Sequence, residues 1–485
     1  MKEKVERCDL AAGLSISRVL TGLWQIADLE RDGRRLDLAA TSEAMKPYVE
    51  AGFTTFDMAD HYGSAEEIVG LFREQHEQKV QLFTKWVPKP GPATRTDVRV
   101  AVQRSLDRMR SEAVDLLQFH AWNYADPRYL DCLYWLQELK EEGLIRYLGL
   151  TNVDTTHLSI ILHSGIEIVS NQVSFSLLDQ RANFGMTELC RHHGIKLLAF
   201  GTVAGGFLTE RWLGQPAPAQ KDLTTWSQMK YLRFIDDAGG WQRFQSLLRT
   251  VRQVAHGHGV SMANVASRYI LEEPAVAGII IGARLGKSEH IEDNLHLFQF
   301  SLDETSRAEI GDALAKLLPI HGDCGDEYRH PPFLTATGDL SQHIESLPPP
   351  YTIRPGTDGR NRVLSGTEWE QVAGFSRAVR RGNRIWVSGT TATHGDKAIG
   401  GNDPAAQLHF IIDKIEGAIQ SLGGQLRDVV RSRIFIRDLV DWEAVARAHG
   451  ERFRDILPAN TLVQALLVGD EYLVEMEAEA VVEDA

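Results

Sequence analysis

Eight short apolar runs, rich in β-branched and aromatic residues, recur between residues 18 and 283 of this 485-residue chain. They are RVLTGLW (18–24), TTFDMAD (54–60), VQLFTKW (80–86), VDLLQFH (114–120), YLGLTN (147–152), IVSNQVSF (168–175), KLLAFGT (196–202) and GIIIGA (278–283). Segments such as SAEEIVGLFREQH, DVRVAVQRSLDRMR and YLDCLYWLQELKEEG separate them, with apolar residues at the spacing of a half-buried helix. Several open on a cap residue (Ser64, Thr96) and stop at glycine (Gly52, Gly143). Strand then helix, eight times over, predicts a closed (β/α)8 TIM barrel. A doubly wound open sheet shows the same alternation and stays open on this pattern alone. The stretch 203–277 holds an insertion with two further helices.

After residue 318 the pattern breaks. Residues 319–365 hold seven prolines, including Pro348-Pro349-Pro350, and read as an extended linker or surface strap. Periodicity resumes in FSRAVRRG, NRIWVSGT, VVRSRIFIRD, TLVQALLVG and LVEMEAEAVV as strands, with AAQLHFIIDKIEGAIQSLG and WEAVARAHGERFRDIL as helices. The expected organisation is a first domain over 1–318, a Pro-rich linker over 319–365 and a smaller α+β domain over 366–485. With 43% hydrophobic and 24% charged residues, the composition suits ordinary globular domains. A formal charge of −14 argues against nucleic acid or an anionic membrane surface as partner. No run of about 18 apolar residues exists to span a bilayer, and MKEKVERCDL lacks the apolar core of a signal peptide. The four cysteines are scattered and form no C-x-x-C, so a cytoplasmic protein with no metal site is expected.

In a barrel, the side chains that do chemistry sit where strands end. The second run ends in FDMADHYG, with Asp57, Asp60, His61 and Tyr62; the third ends with Lys85, and the fourth with His120. Alone, Lys85 would be a solvated rim charge and His120 a satisfied core histidine. At successive strand ends they converge on one rim. No serine or cysteine stands with a base, and no H-E-x-x-H spacing is present, so the set suits proton transfer. A lysine beside a phenol favours the phenolate and lowers its pKa, which would make Tyr62 a general acid near neutral pH. Asp57 would hold Lys85 charged, and His120 would orient a carbonyl oxygen. Such a set protonates an oxygen that gains charge as hydride reaches its carbon. The hydride must come from a cofactor, because no side chain donates one. Trp24, Trp86 and Trp122 flank strand ends and are expected to wall a substrate pocket, with Trp226 and Trp241 closing over it. Arg284 and Lys287 precede a helix expected to open near Ser288, a basic helix start suited to an anion.

These motifs resemble the aldo/keto reductase family over residues 10–318. FDMADHYG is similar to the family's D-x-A-x-x-Y-G, and FTKW and LLQFH to its lysine and histidine strands, in family order. The resemblance implies the closed barrel rather than the open sheet. It also implies a catalytic tetrad of Asp57, Tyr62, Lys85 and His120, with Tyr62 as general acid. GLTN (149–152) resembles the family's G-L-S-N and SNQVSF (170–175) its N-Q-x-x-Y-S. They imply nicotinamide contacts from Thr151, Asn152 and Gln172, with Phe175 stacking where the family has tyrosine. AFGTVAGGFL, with Gly201, resembles the segment that wraps the pyrophosphate. GARLGKSEHIEDN resembles the segment that holds the adenosine end, through Gly282, Arg284, Lys287 and Asn294. Two cations there favour NADP(H) over NAD(H).

The second domain resembles the Rid (YjgF-type) imine deaminase family in AGFSRAVRRGNRIWVSGT, the helix ending SLGG, DVVRSRIFIRD and LVEMEAEA. That implies a chorismate-mutase-like α+β fold, a homotrimer, and a pocket with Phe375, Ser388, Asn460 and Glu475. Asn460 replaces the arginine of the family's P-A-R-S and cannot form its charged bidentate pair. Three functions stand open. One is an NADP(H)-dependent reductase of a small-molecule aldehyde or ketone, whose second domain oligomerises or binds a ligand. The others are a bifunctional reductase and enamine/imine deaminase, and an NADP(H)-sensing binding module.

Overall fold

The computed structural model describes residues 5–30, 33–329 and 347–483. Residues 1–4 of the N-terminal stretch and 330–346 of the expected linker lie outside the described residues.

A hairpin comes first, β1 (Arg7–Ala11) and β2 (Leu14–Ser17). Then follow β3 (Val19–Gly22), β4 (Thr55–Asp57), β5 (Gln81–Trp86), β6 (Val114–Phe119), β7 (Ile145–Thr151), β8 (Ser170–Ser174), β9 (Lys196–Phe200) and β10 (Val276–Gly282). These coincide with the eight predicted runs. Neighbours pair in parallel, and β10 pairs with both β9 and β3, so the sheet closes into a barrel.

Strand period two decides which side chains enter the barrel. Asp57, Lys85, Gln172 and Phe200 reach the cavity at the C-terminal strand ends. Residues of the other parity, such as Phe56, Phe119 and Val173, pack outward into the apolar cluster beneath the helices. Deeper in, Leu20, Phe83, Leu116 and Leu198 fill the lumen, and Leu10, Leu14 and Ile16 of the hairpin pack against them. Each such burial is worth about 1.5–3 kcal/mol, so the end opposite the cavity is a filled plug.

Helices begin where side chains satisfy free N–H groups. Thr94 and Asp97 form a reciprocal capping box at Arg95–Met109, two residues before the expected cap at Thr96. Asp154 accepts from His157 N–H at the start of Thr155–His163.

The second domain is built from β11 (Thr352–Pro355), β12 (Asn361–Leu364), β13 (Ala378–Arg381), β14 (Arg384–Thr391), β15 (Thr393–His394), β16 (Lys397–Ala398), β17 (Val429–Ile436), β18 (Ala459–Gln464) and β19 (Val474–Val481). Seven of them form one sheet in the order β11-β12-β13-β14-β19-β17-β18, and β15 pairs with β16. The helix Pro404–Ser421 crosses β14 and β19 and packs on the helix Trp442–Phe453. One expectation is corrected here. β11 and β12 lie inside the stretch read as linker, yet pair antiparallel and join β13. The prolines stop at Pro355, and Gly359, at φ +73°, lets the chain reverse between the two strands.

The two domains share a packed face. The helix Thr155–His163 lies against Pro404–Ser421. The loop after β6 also approaches Pro404–Ser421, and Gly417 permits it, since a Cβ there would sit 2.2 Å from the Ala125 carbonyl oxygen. His394 Nε2 meets Asp131 Oδ1 at 2.8 Å, and Gly400 N–H donates to Ser164 Oγ at 3.1 Å. Among the described residues, no helix is long and apolar enough to cross a membrane.

Candidate active site

A cavity of about 630 Å³ opens at the C-terminal strand ends, a size that suits small molecules and cofactors. Asp57, Tyr62, Lys85 and His120 all line it. Lys85 Nζ donates to both Asp57 carboxylate oxygens, at 2.8 and 2.7 Å, and to the Met58 carbonyl at 2.8 Å. It also lies 4.8 Å from the centroid of the Tyr62 ring. Gln172 and Gln118 donate their side-chain amides to Asp57 Oδ1, at 2.8 and 3.3 Å. Asp57 is thereby fixed from three strands.

The expected lowering of the Tyr62 pKa is not what this arrangement produces. Burial, and then the Asp57 carboxylate, hold the phenol well above its ordinary value. Lys85 is spent on Asp57, and burial lowers its own pKa against the pull of that carboxylate. Tyr62 is therefore a protonated phenol at neutral pH, a proton donor rather than a phenolate. His120 is 2% exposed. Burial, and then the Arg329 guanidinium, hold its imidazole well below the ordinary value, so it is neutral. Its Nδ1 stands 3.4 Å from the Thr151 carbonyl oxygen, while its Nε2 is buried with no partner among the described residues. So long a contact does not lock one tautomer, which leaves Nε2 able to donate to or accept from a ligand oxygen.

Thr151, Asn152, Gln172, Gly201, Gly282, Arg284 and Asn294 line the same cavity. Two of their polar atoms, Asn152 Oδ1 and Arg284 Nε, are buried without a hydrogen-bond partner. The first would accept from a carboxamide N–H, and the second would donate to a phosphate. Gly201, Gly205 and Gly206 all line the cavity with positive φ, so the loop after β9 takes a path there that residues with side chains rarely adopt. These residues fit a nicotinamide dinucleotide.

Several expectations about individual residues are corrected. Phe175 is fully buried in the apolar cluster and does not line the cavity, because it shares the outward parity of Val173; Phe200 lines the cavity instead. Trp86 has the parity opposite to Lys85, and packs outward 5.5 Å from Phe119. Lys287 is exposed and off the cavity wall. Arg284 and Ser288 form a β-bridge, and the helix opens only at Ile291, later than expected. Trp24 and Trp122 do line the cavity, with Trp226 behind Trp24 at 5.5 Å. Trp241 packs away from it on Phe207 and Trp212.

Sequence reasoning missed Lys230 and Tyr328, which also line the cavity. Tyr328 comes from the stretch read as linker, and its ring meets His120 edge-on at 5.6 Å.

Within one chain, the four residues expected at a second-domain pocket lie on two faces of the sheet. Asn460 donates to Ser432 Oγ at 2.9 Å, a buried serine that also meets His449 Nε2 at 3.0 Å. Ser432 pairs with Ala478 on β19, so Glu475 has the opposite parity and belongs to the other sheet face. Phe375, Ser388 and Glu475 instead gather around Arg377. Its guanidinium lies over the Phe375 ring at 5.5 Å and donates to Gly389 O at 2.7 Å. Burial raises the Glu475 carboxyl, with Arg377 opposing.

Residues 18–315 match the model described as Aldo/keto reductase family, and residues 366–482 the model described as Endoribonuclease L-PSP. The chain is 30% identical over 260 residues to Uncharacterized oxidoreductase YqkF of Bacillus subtilis, covering 51% of this chain and 78% of that protein. It is 38% identical over 120 residues to Uncharacterized protein SCO2049 of Streptomyces coelicolor, covering 24% of this chain and 90% of that one. The glycerol dehydrogenase AKR11B4 from Gluconobacter oxydans shares the fold, with a TM-score of 0.55 and 20% identity over 66% of this chain and 98% of that one.

Proposed function

The chain belongs to the aldo/keto reductase family, and on that premise we propose that it interconverts a small-molecule aldehyde or ketone and its alcohol with NADP(H). When bound, the nucleotide supplies or accepts the hydride. Tyr62 gives its phenolic proton to the carbonyl oxygen, and takes one back in the reverse direction. Lys85, fixed by Asp57, sits over the phenol ring and stabilises the negative charge that the phenol acquires as the proton leaves. His120 Nε2 orients the same oxygen, and Trp24 and Trp122 shield it from water. Arg284, with its unpartnered Nε, supports the choice of NADP(H) over NAD(H).

The observation that carries this reading is one cavity in which the half-buried Tyr62 phenol stands beside the Lys85–Asp57 pair. NADPH oxidation followed at 340 nm against a panel of aldehydes and ketones tests it. No turnover on any member, with NADP(H) bound, would sink it.

We also propose that the second domain joins three copies of the chain through an apolar edge. Support comes from Val463 on β18 and from Leu466 and Val468 beyond it, which are 43%, 99% and 88% exposed. Light scattering of the full chain and of a Leu466→Glu variant tests this; a monomer in the unmodified protein removes it.

A further inference from the structure

The strap 321–329 lies beyond the residues matched to the aldo/keto reductase family, yet it builds part of the cavity wall. Lys230 Nζ donates to Tyr328 Oη at 2.9 Å and to Glu327 Oε1 at 3.2 Å. Arg181 holds Glu327 at 3.0 Å and grips Asp179 through two contacts, at 2.8 and 2.7 Å. Arg181, Asp179 and Glu327 are each no more than 1% exposed. The cavity therefore holds a second tyrosine–lysine–carboxylate set beside Tyr62, Lys85 and Asp57, and its anchor is buried and rigid.

The hydrogen-bond inventory of this set decides what it can bind. Lys230 donates into a lone pair of the Tyr328 oxygen, which leaves the phenolic O–H as the donor still to be placed. A cation on the oxygen strengthens that donor. Burial raises the phenol pKa, with Lys230 opposing, so the proton stays on. Two cations, Arg181 and Lys230, balance two carboxylates, Asp179 and Glu327. The set itself thus has no net charge to offset the desolvation of an anion, and Arg329, the cation beside His120, is engaged by the Ala121 and Asn152 carbonyls and faces Asp154, so an uncharged oxygen acceptor suits the subsite better than a carboxylate. Tyr328 and His120 line one cavity with their rings in edge contact, so this donor stands on the same wall as the group that orients the reacting carbonyl.

We infer that Tyr328 donates a hydrogen bond to a second carbonyl oxygen of the substrate, so that the site selects 1,2-dicarbonyl compounds over simple ketones and aldehydes. The inference rests on the reading of the barrel as a carbonyl reductase. It assigns a specificity-determining role to a residue outside the catalytic four.

The test compares pentane-2,3-dione with pentan-2-one, equal in carbon number, as substrates of the full-length protein with NADPH. In Tyr328→Phe the ring packing stays and the donor goes. The ratio of kcat/KM for the dione over the ketone should fall about tenfold, the loss expected for one well-made hydrogen bond. Lys230→Gln, which drops the charge on the phenol oxygen, should move the ratio in the same direction and serves if the first variant does not fold. A ratio within twofold of the unmodified protein in the folded variant overturns the inference while leaving the reductase reading intact. If the unmodified protein reduces neither compound nor any other carbonyl, the reductase reading has failed and the inference falls with it.

Discussion

His157 of the barrel and Asp413 of the second domain meet across the domain face, with Nε2 3.0 Å from Oδ2. The other ring nitrogen stands 2.7 Å from both oxygens of Asp154. With a carboxylate at each nitrogen, both nitrogens must donate, so the ring is an imidazolium. Burial opposes the charge, but Asp154 and Asp413 outweigh it and push the His157 pKa up to about 9. Tyr124 stacks on this ring at 3.5 Å and 8°.

This pair makes the stability pH-dependent. His157 binds its proton more tightly folded than unfolded. Its contribution is therefore fully present below its ordinary value of 6.5 and is lost as pH rises through about 9. Lys414 works in the opposite sense. Burial pushes it down to about 7, so its contribution grows as pH climbs from there toward 10.5. The difference between the unmodified protein and His157→Gln isolates the histidine. Urea unfolding from pH 6 to 10 should show a gap of a few kcal/mol at pH 6 that narrows by pH 10. A gap constant across that range would rule out the charged pair.

The close approach at Gly417 leads to a second expectation. A Cβ 2.2 Å from the backbone oxygen of Ala125 has no flexible neighbour to yield. Gly417→Val should push the helix Pro404–Ser421 away from the loop at Ala125 and raise the radius of gyration in small-angle scattering. An unchanged scattering curve would mean that the domain face relaxes without cost.

How much of this was legible follows the range of each interaction. The barrel was readable because each strand and helix carries its own local period. Tyr62, Lys85 and His120 were readable because strand ends name themselves. Phe175 and Trp86 were misread although the information was present. Inward Gln172 and Lys85 set the parity, and neither aromatic shares it. Tyr328 and Lys230 left no local signal, since one lies in a polar stretch and the other in a helix that reads as amphipathic. His157 looked like any residue at the third position of a capped helix; its partner Asp413 is 256 residues away in sequence.

Tyr62→Phe should lower kcat by about 10²–10⁴, the usual worth of a general acid. Because burial raises the Tyr62 pKa from its ordinary 10.0, the phenol stays protonated through neutral pH. The reduction rate should then be level from pH 6 to 9 and decline only above about 10. Initial rates across that range check it. A decline centred near pH 7–8 would show that Lys85 does acidify the phenol in the loaded enzyme.

Arg284→Ala should weaken NADPH more than NADH, by about tenfold or more for a lost charge-assisted contact. Lys287→Ala should have the smaller effect, since Lys287 is exposed and off the cavity wall. Dissociation constants from nucleotide fluorescence separate the two. Equal losses for both nucleotides would place Arg284 on the pyrophosphate instead.

Arg329 ties the domain face to the reacting groups. It donates to the Ala121 carbonyl at 2.9 and 2.6 Å and to the Asn152 carbonyl at 2.6 Å, one residue after His120 and at the asparagine that lines the cavity. Its guanidinium lies 4.4 Å over the Tyr124 ring, and Tyr124 stacks on His157. Asn152 has φ +57°, an uncommon backbone state for a residue with a side chain, and a contact from Arg329 helps to hold it. Lysine offers a point charge rather than a planar fork, so Arg329→Lys cannot grip both carbonyls or stack as well. The variant should therefore raise the nucleotide Kd and lower kcat together, and Arg329→Gln, which removes the charge as well, should also lift the pKa of His120. NMR titration of the His120 ring reads the last effect; a looser fold would lift the pKa in both variants by exposing the ring, so a rise in Arg329→Gln beyond that in Arg329→Lys reports the charge. Unchanged kinetics with an unshifted His120 would show that the strap's arginine holds the loop without influencing the site.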